Sequence, residues 1–343
     1  MSQAPSPKLL EAPTFSAEQL SDTLGAARSH SNAGPLFDFT LKLPRGWWVS
    51  FYPDAVPQAG TQPELLFHAS PEHTRDVEIR IWATVLTREI NPVDWLDQWL
   101  DFTEHGIIDA KNFDTDYGVL ADVLTHRLDK SVPGTRRSLT IKDGNRLFLI
   151  EAKARRDDEN LITLMQNAFL VAASSFELAH PTRDRFAEPF DDVTTEGALP
   201  LTLLAPESWQ MTAQQKAPPD GAAITWDNNG FGTLMLSTMP GCDNSEMLEE
   251  VLLGTLEANG VKIPEPDEST LLVPSAFMNI LARSDRALRG GEVEMIVMTA
   301  RAETPEVSAC LALLSPSEQS NRDAMAVNRR AFQVMLQSLR PAG

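Results

Sequence analysis

Cysteine is almost absent. Cys242 and Cys310 are the only two in 343 residues, and they form neither a disulfide framework nor a metal-ligand spacing. Reduced thiols and a cytoplasmic location are the simplest expectation. Histidine is sparse and lopsided: His30, His68, His73, His105, His126 and His180 all fall in the first 180 residues, and the second half has none. A Cys–His nucleophile would therefore need partners from opposite halves of the chain. Basic residues are outnumbered, 29 Lys and Arg against 48 Asp and Glu. The resulting formal charge of −19 makes the average surface repel nucleic acid and anionic lipid. No apolar run approaches the roughly 18 residues that a membrane-spanning helix requires. Residues 1–13 contain only Leu9-Leu10 as an apolar pair, without the apolar region of a secretion signal. Nucleophile-elbow and phosphate-loop patterns are missing too; Gly230, Gly232, Gly290 and Gly291 sit at expected hairpin turns. No cofactor or metal is expected.

What the chain does contain is a repeat of itself. A short β-type run followed by Pro-x-x-Trp opens each half: Phe39-Thr40-Leu41-Lys42-Leu43-Pro44-Arg45-Gly46-Trp47, and Leu201-Thr202-Leu203-Leu204-Ala205-Pro206-Glu207-Ser208-Trp209. A helix with one shared face closes each: Ala168-Phe169-x-Val171 with Ser175-Phe176, and Ala331-Phe332-x-Val334 with Ser338-Leu339. Between them the element order agrees. Each half has a hairpin, Leu65–His68 to Val77–Leu86 and Ala222–Trp226 to Thr233–Thr238, the second turning at Asp227-Asn228-Asn229-Gly230. A helix follows. In the first half Asn91 caps it, Pro92 opens it, Trp95, Leu96, Trp99 and Leu100 form its apolar stripe, and Gly106 ends it. In the second it runs from about Asp243 through Met247, Leu248, Val251 and Leu252 to Gly260. Three strands come next, at 118–128, 135–142 and 145–155, and at 272–283, 291–302 and 306–314. The last helix of the first half is capped by Asp157 or Asp158. That of the second carries a capping box of Ser315 and Glu318. The expected class is α+β, two tandem antiparallel-sheet domains, each ββ(β)-α-βββ-α.

This order, with its Pro-x-x-Trp opening, resembles the PsbP-like fold over 36–178 and 198–340. The superfamily includes photosystem extrinsic proteins, a Ran-binding group, bacterial lipoproteins and adaptor-chaperones of type VI secretion effectors. The resemblance implies the fold, and for a partner it implies another protein, such as a secreted effector or a secretion-machine component. It supplies no site residues. The domain expectation is a flexible segment over 1–35, one domain over 36–178, a linker over 179–198 and a second domain over 199–340. Within the first segment, Ser16-Ala17-Glu18-Gln19-Leu20 starts a helical pattern reaching Ser29, which either docks on its own protein or is read by a partner.

Few residues suggest chemistry. His68 and His73 flank the Ser70-Pro71 turn, but two ligands do not make a metal site. Asp94, Asp97, Asp101 and Glu104 share one face of the first helix, opposite its apolar stripe, as a solvent side would. The anomalies are apolar side chains on the polar face of strands. Trp82 shares a face with Glu78, Arg80 and Thr84; Leu147 and Leu149 begin a face that ends in charges. The second half concentrates Met235, Met239, Met247, Met278, Met295 and Met298. Either helices on both sides of each sheet hide these residues, or they form open faces that receive a partner. Trp82, Leu147, Leu149, Met295 and Met298 are the partner-binding candidates of the second reading. The leading expectation is a non-enzymatic adaptor, chaperone or assembly subunit. The alternative is an enzyme or small-ligand binder with a site between the domains, using groups such as Asp122, His126 and Asp285.

Overall fold

The computed structural model describes residues 7–14, 24–32, 34–60, 62–115, 118–127, 134–182, 184–217, 220–263, 271–273, 275 and 278–342. The chain divides into two compact units, Met1–Thr87 with Asn91–Ala187, and Arg88–Ile90 with Glu188–Gly343. Each unit repeats one architecture.

In the first unit β1 (Leu24–Arg28) and β2 (Phe39–Pro44) form a small antiparallel sheet. The main sheet contains β3 (Trp47–Phe51), β4 (Glu64–Pro71), β5 (Val77–Val85), β6 (His105–Thr115), β7 (Gly118–Arg127), β8 (Thr135–Asp143) and β9 (Arg146–Ala154). Its order is β3-β4-β5-β9-β8-β7-β6. Helix α1 (Pro92–Phe102) lies between β5 and β6 in sequence, α2 (Glu159–Ser174) follows β9, and β10 (Glu177–Leu178) returns to pair with β2. Alternation decides the faces. Val77, Ile79, Ile81 and Ala83 of β5 and Phe148, Ile150, Ala152 and Ala154 of β9 turn to one side, where Phe169 of α2 and Phe39 and Leu41 of β2 seal the main core. On the opposite face, Leu96 and Leu100 of α1 cover Ala121, Val123 and Leu149.

The second unit copies this plan. The small sheet is β11 (Phe190–Thr194) with β12 (Leu201–Pro206). The main sheet has β13 (Gln210–Ala217), β14 (Gly221–Asp227) and β15 (Thr233–Pro240). After α3 (Ser245–Ala258) come β16 (Val261–Lys262), β17 (Leu271–Val273), β18 (Asn279–Arg289), β19 (Val293–Glu303) and β20 (Val307–Pro316). Helix α4 (Glu318–Ser338) and β21 (Arg340–Pro341) close it, β21 pairing with β12. The order β13-β14-β15-β20-β19-β18 matches the first unit strand for strand. Helix α4 packs on the Trp226, Leu236, Leu311 and Phe332 core, and α3 on the Met235, Met295, Val297 and Ala312 side. No helix among the described residues is long and apolar enough to cross a membrane.

Both units are therefore α+β tandem domains with the element order that the PsbP-like resemblance implies, plus strands the sequence did not announce. Leu24–Arg28 is a strand where a helix reaching Ser29 was expected, because pairing with β2 overrides a weak helical pattern. The rest of that pattern lies outside the described residues. The segment expected to be flexible is tied down at 7–14 as well, as shown below. Phe190–Thr194, expected as linker, is the first strand of the second unit. Helix α1 stops at Phe102 rather than Gly106, because Glu104 takes a left-handed φ of 58° and turns the chain into β6. The strand expected over 272–283 instead runs from Asn279 to Arg289. The cap of α4 is Ser317, whose hydroxyl accepts from Ser320 N. Ser315 is fully buried and takes a hydrogen bond from Asn328 instead. Asn91 and Asp158 cap α1 and α2 as expected.

Candidate functional site: a charged sheet face in the first unit

The register of the main sheet assembles a site that no short motif displays. One cross-strand row reads Thr125, Arg136, Lys153, Glu78 over β7, β8, β9 and β5. The adjacent row reads Val123, Ser138, Glu151, Arg80, His68, Ser50 over six strands. A third places Thr140, Leu149 and Trp82 together, and there α1 takes over as cover. The strand face beyond the helix is thus a floor of charge bounded by tryptophan.

Two buried carboxylates organise it. Glu151, 3% exposed, accepts from Arg136 Nη1 at 2.6 Å, Trp82 Nε1 at 2.7 Å and Trp99 Nε1 at 3.3 Å. Glu78, 1% exposed, faces Arg80 at 2.9 Å, Arg155 at 3.2 Å and His68 at 3.3 Å. Burial alone would raise its carboxyl, but the Arg80 and Arg155 charges, with Lys153 behind them, outweigh that and hold it below the ordinary value. Lys153 is itself pushed down, first by burial and then by Arg136, Arg80 and Arg155, against the pull of Glu78. Burial, reinforced by Arg136, Arg127 and Lys153, lowers His105 to about 4 even though a hydrogen bond at Thr103 opposes it. His105 is therefore neutral at pH 7.

Among the described residues, Arg80, Arg136, Lys153 and Arg155 gather around Glu78 and Glu151, in a chain of formal charge −19. Arg80 Nε, Arg127 Nε and the hydroxyl of the fully buried Ser138 are buried without a hydrogen-bond partner among the described residues. Beside them, Trp95 stacks on Trp99 at 6.0 Å, Trp82 lies 6.0 Å from Trp99, and Phe102 packs at 5.9 Å while 63% exposed. Arg80 also lies over the Trp82 ring at 5.9 Å.

The same face of the second unit is closed. Glu249 of α3 reaches Arg283 at 3.1 Å, Arg301 at 3.7 Å and the Thr299 hydroxyl. Asp285 takes Arg283 at 3.2 Å and Glu246 takes Arg301 at 3.7 Å. Arg283 and Arg301 there each meet a carboxylate, with Glu246, Glu249 and Asp285 gathered around the two of them. The Cys310 thiol beneath is pushed far above its usual range by burial and by Glu249. An open cleft of about 410 Å³ adjoins Cys242, Asn279 and Glu303.

The partner-binding candidates need correction. Leu147 and Leu149 are 0% and 1% exposed, Leu149 beneath α1, and Met295 is 7% exposed under α3. Helices do cover both sides of each sheet, so these three side chains are core. Trp82 and Met298 are half-buried; Met298 packs on the second core, and only Trp82 borders the charged floor. His68 turns to Glu78 while His73 is exposed, so the two do not converge. Asp94 and Asp97 on α1 are half-buried and engaged rather than a plain solvent side. Asp122 is locked to Arg137 and Asp285 to Arg283, each within its own unit, and His126 is exposed. Among the described residues no group of three or more His, Cys, Asp or Glu is placed to hold a metal. Sequence reasoning missed Arg136, Lys153, Glu151 and Arg155. The signal was present as alternate-position charges in three strands, yet that pattern also describes an ordinary wet face.

No protein-family model matches the chain, and no curated protein does. Among solved structures it is similar to PsbP (CyanoP) from Synechocystis sp. PCC 6803, with 15% identity over 46% of this chain and 92% of that one, TM-score 0.31. It is also similar to the immunity protein TplEi of the type VI secretion system from Pseudomonas aeruginosa. The apo form shows 10% identity over 92% of this chain and 97% of that one, TM-score 0.23. The complex with "L" peptide shows 11% identity over 92% and 98%, TM-score 0.22.

Proposed function

We propose that this protein is a non-catalytic, protein-binding subunit of the bacterial cytoplasm, an adaptor, chaperone or assembly component. Its first unit receives an acidic segment of a partner on the charged sheet face, and a secreted effector or secretion-machine component is the partner class in view. The observation that carries this reading is the surplus of converging cations around Glu78 and Glu151, set against the neutralised equivalent in the second unit. A floor of fixed guanidinium groups suits carboxylates, and the Trp95–Trp99–Phe102 edge suits an apolar neighbour in the same segment. Net charge favours this reading over a nucleic acid or an anionic membrane. A long polyanion would meet the repelling remainder of a −19 surface, whereas a short acidic peptide meets only the patch.

The test uses a fluorescein-labelled peptide alternating glutamate with tryptophan. The full chain is expected to bind it with an affinity that falls as salt rises from about 50 to 300 mM, as screening requires. Reversing Arg80→Glu and Arg155→Glu together is expected to weaken binding at least tenfold, while Arg301→Glu in the second unit leaves it unchanged. Equal binding by the reversed variant, or tighter binding of a single-stranded oligonucleotide or of phosphatidylserine vesicles, refutes the reading.

A further inference from the structure

Residues 7–14 belong to neither sheet and to no helix. They are nonetheless anchored, chiefly through their main chain, with side-chain contacts from Thr14 Oγ1 to Asn167 at 3.2 Å and from Lys111 to Glu11 at 3.4 Å. Leu9 N donates to Asp109 Oδ2 at 2.9 Å. Leu10 N donates to Gln166 Oε1 at 2.7 Å, and Gln166 Nε2 returns a bond to Lys8 O at 3.0 Å. Arg137 Nη1 donates to Leu10 O at 2.9 Å. Thr14 N donates to Asn167 Oδ1 at 2.7 Å.

The groups that do the holding are deeply buried. Gln166 and Asn167 lie off the Met165, Ala168, Phe169 and Ala172 stripe of α2, and are 6% and 2% exposed with residues 7–14 lying over them. Arg137 is 2% exposed, gripped by Asp122 through bonds of 2.9 and 2.6 Å and laid over the Phe169 ring at 4.8 Å. Amides and a guanidinium in such positions are costly unless their hydrogen bonds are met. With residues 7–14 in place Gln166 is met at both ends of its amide and Asn167 Oδ1 has its donor. Without them Gln166 keeps only the bond that its Oε1 accepts from Arg137 Nη1 at 3.2 Å, and Asn167 Oδ1 loses its donor from Thr14. Side chains fixed from behind and aimed at the backbone of an irregular segment are how a groove reads an extended peptide whatever its sequence. The only side chain of the segment that packs on the main core is Leu9, which supplies a single apolar anchor.

We infer that the groove walled by α2, β6 and β8 is a peptide-binding site for an extended segment with one buried apolar side chain, and that residues 7–14 are its ligand in cis. The site lies on the α2 side of the sheet, opposite the charged face, and does not depend on the function proposed for that face. A tethered ligand acts at an effective concentration near the millimolar range. A free peptide at micromolar concentration therefore loses to it in the intact chain and wins only when the tethered copy is removed.

The test is a titration of fluorescein-labelled Pro-Lys-Leu-Leu-Glu-Ala-Pro-Thr, the sequence of residues 7–14, followed by anisotropy, with thermal melting as the check on folding. A chain lacking residues 1–14 is expected to bind the peptide saturably, at least tenfold tighter than the full chain. Gln166→Ala or Asn167→Ala in that background is expected to weaken binding at least fivefold, while Arg286→Ala, an exposed position of the second unit, leaves it unchanged. A folded truncated chain that does not bind, or a full chain that binds equally well, overturns the inference. If the truncated chain does not fold, the full chain carrying Leu9→Glu and Leu10→Pro takes its place, since it removes the anchor and one N–H donor without shortening the protein. Failure of both to fold makes the segment an inseparable part of the core and overturns the inference as well.

Discussion

Glu151→Ala is the sharpest probe of the charged face. Glu151 is 3% exposed and accepts three hydrogen bonds, one from Arg136, itself 9% exposed. Removing one partner of a buried ion pair costs about 3–5 kcal/mol, because the remaining charge is left uncompensated. The indoles of Trp82 and Trp99 are half-buried, so water recovers part of their loss, leaving under about 1 kcal/mol each. The expected loss is about 4 kcal/mol. For a unit of this size that corresponds to a fall of roughly 8–16 °C in its melting temperature. Tryptophan emission is the assay, since Trp47, Trp48, Trp82, Trp95 and Trp99 report on the first unit and only Trp209 and Trp226 on the second. The transition of the first unit should move alone. Replacing both partners, Arg136→Met with Glu151→Leu, should recover most of the stability, because no buried charge then lacks a partner. A loss below about 1 kcal/mol in Glu151→Ala, or a double variant no better than the single, refutes the claim that this pair is desolvated and holds the floor.

His105 gives a pH signature. Its folded pKa of about 4 lies below the ordinary 6.5, so the unfolded chain binds the proton first. Stability is then fully present above about pH 6.5, falls by up to about 3 kcal/mol as pH drops to about 4, and levels off below. Denaturant midpoints at pH 7 and pH 5 should differ in the wild type and converge in His105→Gln. Gly221→Ala should destabilise the second unit by at least about 2 kcal/mol in thermal melts, because the added Cβ would stand 2.0 Å from the Thr238 carbonyl oxygen in the neighbouring strand. Thiol titration should find one reactive cysteine in the native protein, the exposed Cys242, and two in denaturant, because burial and the nearby Glu249 keep Cys310 protonated.

The sequence by itself determined the duplication, the α+β class, most strands and the four helices that cover the sheets. These rest on signals within ten or twenty residues: the alternation of Val77, Ile79 and Ile81, the Asn229-Gly230 turn, the Asn91-Pro92 cap and the Trp95, Leu96, Trp99, Leu100 stripe. It could not place Leu24–Arg28 or Phe190–Thr194. Such short edge strands gain their stability from distant partners at Thr40–Pro44 and Thr202–Pro206. Nor could it say what lies over each face. Leu149 and Glu151 are neighbours on one strand face, and only the docking of α1 packs the first with Leu96 and Leu100 and gives the second, equally buried, the indole of Trp99 beside Arg136. Nothing local marks Gln166 and Asn167, polar residues beside the apolar stripe of a helix, until the backbone of Leu10 and Thr14 is seen to meet them. Local periodicity fixes which way a side chain points. What it points at depends on pairings across tens to more than a hundred residues of chain, and those the tertiary structure alone decided.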